Sequence, residues 1–177
     1  IQREVDLITY YGEKVYDGTV IDYTYTYNDP NNINGVAYTL DNKVVDEVDS
    51  INTHTEFINV ELDLNGNATT RKNVITLTIK EDGIDVTYNY HFNTYYDDLL
   101  IKKRELKIQA DYATKIYDGL ELTTKDWIYL DSPYEVVSGE TLTIETSGSI
   151  VDTGIKTNPI ESYKVLKANE EDSSTNY

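Results

Sequence analysis

The chain has 177 residues and a formal net charge of −17, with 15 Lys+Arg against 32 Asp+Glu; this balance argues against nucleic acid and anionic lipid as partners, because both are bound through cations. It contains no cysteine, which excludes disulfides, zinc–thiolate sites and thiol nucleophiles. No run approaches the roughly 20 apolar residues of a membrane span, so no membrane insertion is expected of it.

The opening, IQREVDLITYYGEKVYDG, alternates apolar and polar residues and closes on the turn signal Tyr16-Asp17-Gly18. IDYTYTY then places Ile21, Tyr23, Tyr25 and Tyr27 on one face of a strand. With 39% hydrophobic residues, a count that includes 17 tyrosines, any core has to be tyrosine-rich, and these three tyrosines are assigned to it. Asn28-Asp29-Pro30, Asn65-Gly66-Asn67, Glu81-Asp82-Gly83 and Ser138-Gly139-Glu140 mark further turns. Between them, ITLTI (Ile75, Leu77, Ile79) and TLTIET (Leu142, Ile144) keep strand periodicity. LLIKKRELKI alternates on both sides of Lys102-Lys103-Arg104-Glu105, which predicts a nearly continuous, stiff strand there. No long segment keeps helical spacing. Asp41 to Ser50 and Thr123 to Ser132 are the least strand-like, with room for one short helix each.

Sliding the chain against itself sets RELKIQADYATKIYDG over REVDLITYYGEKVYDG without gaps. Arg104 falls on Arg3, Lys115 on Lys14, and Tyr117-Asp118-Gly119 on Tyr16-Asp17-Gly18. A weaker match lays YKVLKANEEDSSTNY over TLTIKEDGIDVTYNY, Tyr177 on Tyr90, so the second copy is shorter inside. Repeats take precedence over fold assignment, and they predict two tandem domains, 1–103 and 104–177. After Tyr90 the first copy continues through HFNTYYDDLLIKK, whereas the second ends at Tyr177. The second copy is therefore expected to lack its closing strand, in a chain cut from a longer array whose sorting signals lie outside these residues.

The Tyr-Asp-Gly tripeptides have a structural reading. Asp accepts from nearby amides, Gly takes positive φ, and Tyr anchors the turn against a sheet. Tyr16, Asp17, Gly18, Tyr117, Asp118 and Gly119 are therefore motif residues first and ligand-binding candidates second.

Asp63, Asn65 and Asn67 alternate as D-x-N-x-N, the donor spacing of a calcium loop, but the place of the closing bidentate Glu is held by Val74. A polar hairpin turn accounts for them, and no cofactor is expected; calcium is the one that the many hard oxygen donors leave open. His54 and His91 stand outside any Ser, Cys or metal constellation. Asp97-Asp98 and Glu170-Glu171 are adjacent acids of the kind an acidic chain has by chance. An enzyme is not expected.

The paired openings ending in Lys-Val/Ile-Tyr-Asp-Gly, the later Asn-Tyr, the Thr146-Ser147-Gly148-Ser149 segment and the junction DLLIKKREL resemble the MBG/YDG-type tandem repeats of bacterial surface adhesins, related to mucin-binding glycoproteins. The resemblance covers nearly the whole chain; the middle of the first copy, NTHTEFINVELDLNGNATTRKN, departs from it. It implies domains displayed in series, outside the cell, on a cell wall or surface. The absence of Cys and Met suits exposure to oxidants there.

The expectation is thus a mainly-β chain of two small Ig-like, sandwich-like repeats, with a small α+β two-layer sandwich carrying one short helix per repeat as the alternative. Its expected role is that of stalk or spacer, projecting a distal binding region, with neighbouring repeats as partners. The competing role is an adhesive module for host glycan, mucin or matrix protein, in which the tyrosines supply contact surface.

Overall fold

The chain is mainly β. A computed structural model describes residues 2–21, 32–33, 36–37 and 47–177, and divides the chain into two compact units, Ile1–Lys102 and Lys103–Tyr177.

The first unit contains β1 (Arg3–Ile8), β2 (Gly12–Val15), β3 (Asn32–Ile33), β4 (Val36–Ala37), β5 (Glu47–His54), β6 (Thr70–Lys72), β7 (Ile75–Glu81), β8 (Ile84–Asp85), β9 (Tyr90–Tyr95) and β10 (Asp98–Lys102). One sheet runs β3-β4-β1-β9, a second β2-β10-β6, and a third β5-β7-β8. The two closing strands lie parallel to the two opening ones: β9 against β1, from Arg3↔Tyr90 to Ile8↔Tyr95, and β10 against β2, from Leu99↔Gly12 to Lys102↔Val15. On its other edge β10 is antiparallel to β6. Period-two alternation explains why β10 sits in the middle of its sheet: Leu99 and Ile101 point the same way and are both 0% exposed. Leu7, Tyr16, Ile21, Val60, Ile79, Val86 and Tyr90 are buried with them. Tyr23, Tyr25 and Tyr27 and the Asn28-Asp29-Pro30 turn lie outside the described residues.

The second unit contains β11 (Ile108–Ala110), β12 (Leu122–Thr123), β13 (Trp127–Tyr129), β14 (Thr141–Thr146), β15 (Ser149–Ile150) and β16 (Ile160–Leu166). They pair antiparallel as β11-β13, β12-β15 and β14-β16. Leu142, Ile144, Val165 and Tyr177 are its buried hydrophobic residues. It has no counterpart of β9 and β10.

Two expectations require correction. Thr123 to Ser132 holds no helix: β13 occupies its centre. Trp127 and Tyr129, two residues apart, share a face and meet edge to face with ring centroids 5.0 Å apart, a contact that strand spacing provides and helical spacing does not. Of the other candidate helix, 47–50 belong to β5 and 41–46 lie outside the described residues. Nor does one strand run through LLIKKRELKI; β10 ends at Lys102 and β11 starts at Ile108. Between them the main chain bonds to the second unit's own loops, Arg104 N–H to Asn176 O at 2.8 Å and Lys107 N–H to Tyr134 O at 3.2 Å. The Arg104 guanidinium donates to Pro133 O and Glu135 O.

Candidate functional site

The Tyr-Asp-Gly segments form the same turn twice. In the first, Asp17 Oδ1 accepts the Thr19 N–H at 2.9 Å and the Lys14 ammonium at 2.6 Å. In the second, Asp118 Oδ1 accepts the Leu120 N–H at 2.9 Å and pairs with Lys115 at 2.7 Å. Gly18 and Gly119 have φ of 77° and 76°, the left-handed region that glycine enters without steric cost. Partial burial works against the Asp17 charge, but the Lys14 ammonium and the Thr19 amide and hydroxyl outweigh it and hold the carboxyl down to about 2. The Lys115 ammonium and the Leu120 amide lower Asp118 as well. Lys14 further donates to Thr19 O and Val20 O, and Lys115 to Glu121 O. Each lysine thus ties the end of its turn.

The tyrosines of the two turns differ. Tyr16 is 1% exposed and Tyr117 60%. The Tyr16 N–H donates to Lys102 O at 2.9 Å, at the end of β10, the strand the second unit does not have.

A second repeated device is the pattern Asp-x-Thr/Ser-x-Asn-Tyr, at Asp85–Tyr90 and Asp172–Tyr177. Asp85 Oδ1 accepts the Thr87 N–H and Asp172 Oδ1 the Ser174 N–H, both at 2.9 Å. The hydroxyl oxygens of Thr87 and Ser174 then accept the strand amides of Ile79 and Val165, again both at 2.9 Å. Each pattern closes on a 3-10 turn, Thr87–Asn89 or Ser174–Asn176, and a buried tyrosine, Tyr90 or Tyr177.

A third is an asparagine before the long strand. Asn73 donates from Nδ2 to Tyr10 O at 3.2 Å, and Asn158 to Asp111 O at 3.3 Å. Asn158 Oδ1 also accepts the Gly148 N–H at 3.0 Å. A Cβ on Gly148 would lie 2.6 Å from the Asn158 Cα, so the Thr-Gly-Ser segment needs its glycine for close approach. Counting back from the bridged residues Ile150 and Phe57, Thr55 stands in Gly148's place. There the Thr55 hydroxyl accepts the Val74 N–H, and the buried Asn73 Oδ1 has no hydrogen-bond partner among the described residues.

Asp63 Oδ1 accepts the amides of Asn65 at 2.8 Å and Asn67 at 2.9 Å, and Gly66 has φ of 80°. The Asn67 and Asn65 hydrogen bonds hold its carboxyl below the usual range. The carboxylate is thus occupied by its own hairpin, and Asn65 and Asn67 contribute amides to it. Among the described residues, no three His, Asp or Glu side chains cluster in a way that could hold a metal ion. His91 is exposed on β9, His54 belongs to β5, and Asp98 pairs with Lys72 at 2.9 Å.

A concavity of about 810 Å³ lies in the second unit. One wall is Gln109–Lys115, the other 154–158, and Leu122, Ile150 and Ile160 line its apolar part. Neither the asparagine clasp nor this groove was anticipated from sequence. The signal for the clasp was Asn73 and Asn158, each two residues before an isoleucine that enters the long strand. Comparison of the chain with family models, with curated protein sequences and with solved structures gave no match.

Proposed function

We propose that this chain is a pair of tandem, Ig-like β-sandwich repeats, MBG/YDG-like in kind, from the stalk of a secreted bacterial surface adhesin. Their role is to extend a distal binding region from the cell, and they carry out no catalysis. The reading is supported chiefly by what repeats. The Lys–Asp turn, the Asp-x-Thr/Ser turn and the asparagine clasp recur in both units, and the hydrogen bonds that recur are internal to each unit. A unit multiplied for length needs such reproducible closures and no site of its own.

Small-angle scattering on the 177-residue chain tests the spacer role. An elongated particle with a maximum dimension near the sum of two domains in series supports it, and a compact, folded-over particle overturns it.

The second reading, an adhesive module, draws on exposed rings. Tyr88, Tyr95 and Tyr112 are 72%, 57% and 84% exposed, and such rings stack on sugars. A screen against mucins, glycans and matrix proteins, with calcium and with chelator, separates the two. Saturable binding promotes the repeats to adhesin modules, loss with chelator gives calcium a role, and silence under both conditions favours the stalk.

A further inference from the structure

A main-chain nitrogen reaches the side chain of a preceding asparagine most easily when it belongs to glycine, because no Cβ obstructs the approach. The chain has two such pairs: Asn34-Gly35, which lies outside the described residues, and Asn65-Gly66. Every other described asparagine is followed by a residue with a side chain. Asn158 precedes Pro159, which has no amide proton to lose, and Asn73 precedes Val74, whose amide the Thr55 hydroxyl accepts.

Asn65 and Gly66 are both exposed at the tip of their hairpin, and a Cβ on Gly66 would meet nothing within 4 Å. No neighbouring wall therefore shields the pair. Both groups are nonetheless tied to one residue. The Gly66 N–H donates to Asp63 O at 3.0 Å, the Asn65 N–H to Asp63 Oδ1 at 2.8 Å, and the Asn65 side chain also bonds to the Asp63 carboxylate. That carboxylate accepts the amides on both sides of Gly66, those of Asn65 and Asn67. Loss of the Gly66 proton would thus set a second negative charge beside the first.

We propose that Asn65 is a deamidation site whose rate is set by Asp63, which restrains both the Gly66 nitrogen and the Asn65 amide while the hairpin is closed. On opening, solvent base takes the Gly66 amide proton and the nitrogen attacks Asn65 Cγ. The N–Cγ bond forms, water protonates the departing Nδ2, and the Cγ–Nδ2 bond breaks with release of ammonia, leaving a succinimide. Water then adds across one of the two ring C–N bonds that involve the Gly66 nitrogen. Opening at Cγ yields aspartate; opening at the Asn65 main-chain carbonyl yields isoaspartate, whose main chain is longer by a methylene. Water is consumed, ammonia is lost, and no electrons are transferred. The hairpin closes through Asp63 N–H to Asn67 O at 2.9 Å and Thr69 N–H to Glu61 O at 2.8 Å, and a lengthened main chain between these bonds no longer fits them. Each hairpin so converted is loosened for good.

The test incubates the full 177-residue chain at mildly alkaline pH and follows each asparagine by peptide mapping and mass spectrometry, beside a synthetic peptide with the sequence of 62–69. Asn65 is expected to convert first among the described asparagines, at least about tenfold more slowly than in the peptide, because conversion waits on local opening. Asp63→Ala is expected to speed conversion in the chain about tenfold. Should that variant lose its fold, Asp63→Asn keeps an acceptor oxygen, removes the charge, and is expected to speed conversion about threefold. Hydrogen exchange of the Gly66 amide supplies an independent reading: sub-denaturing urea should raise exchange and deamidation in constant proportion, since both pass through the same opening. The proposal is overturned if another described asparagine converts before Asn65, if chain and peptide convert at equal rates, if a folded Asp63 variant converts no faster, or if urea raises Gly66 exchange and leaves deamidation unchanged.

Discussion

Asn73 and Asn158 make one and the same bond in their respective units, each donating its side-chain amide to a carbonyl at the end of the opening strand, Tyr10 O at 3.2 Å and Asp111 O at 3.3 Å. Their other halves differ, since Asn158 Oδ1 accepts from Gly148 and Asn73 Oδ1 accepts nothing among the described residues. Asn158→Ala is therefore expected to cost about 2–3 kcal/mol and Asn73→Ala about 1 kcal/mol, because only the first leaves a donor newly unpaired. Urea denaturation of the two variants, followed by a probe in each unit, checks the order; equal losses would refute it.

Gly148 and Gly66 should respond to alanine for different reasons. A Cβ at Gly148 meets the Asn158 backbone at 2.6 Å, whereas one at Gly66 meets nothing within 4 Å but sits at φ of 80°. Gly66→Ala is expected to cost about 1–2 kcal/mol from backbone strain alone. Gly148→Ala is expected to shift the Asn158 amide as well, seen as a displaced side-chain NH₂ resonance that Gly66→Ala leaves in place.

Asp17 is expected to be harder to protonate than Asp118. Both have a lysine and a backbone amide, but Thr19 adds a hydroxyl where the second turn has Leu120. The folded carboxyl of Asp17, about 2, lies below the roughly 3.9 of an unfolded aspartate. The turn's contribution to stability is then complete above about pH 4 and declines as pH falls toward about 2. Carboxyl-detected NMR titration gives the midpoints directly, and Thr19→Val should raise that of Asp17 alone. An Asp17 midpoint at or above the unfolded value would contradict the geometry.

Thr87→Val and Ser174→Ala each remove the oxygen that accepts a buried strand amide, of Ile79 and Val165 respectively. Each is expected to cost about 1–2 kcal/mol, and Thr87→Ser should restore most of the loss. Thermal denaturation compares the three; full stability in Thr87→Val would show that the hydroxyl is dispensable.

What could be read in the sequence was whatever repeated at constant spacing or alternated cleanly. The Lys-to-Gly openings align without gaps, so the two turns were legible in the sequence. The alternation of Leu142 with Ile144 and of Leu99 with Ile101 likewise gave their strand faces. The clasp was hidden because the copies differ in length between their openings and their asparagines. A register shift beside Glu145 and Thr146 and a hairpin loop longer by one residue changed the spacing twice more before Tyr177. The short helix for which the stretch around Trp127 had room, under the alternative fold, is absent because polar neighbours concealed a three-residue strand. The continuous junction strand failed because alternation shows which face a residue takes, but not which backbone groups will bond to it.

The parallel pairing of β2 with β10 has a mechanical consequence. In the first unit the chain enters through β1 and β2 and leaves through β10, and β2 and β10 point the same way. Tension applied between the two ends of this unit drags the two strands lengthwise past each other, so the bonds from Leu99↔Gly12 to Lys102↔Val15 must yield together. β1 and β9, parallel over Arg3↔Tyr90 to Ile8↔Tyr95, are sheared in the same sense. Resistance to pulling is thus set by the whole length of these ladders at once, and a unit closed in this way yields abruptly at high force instead of peeling open bond by bond.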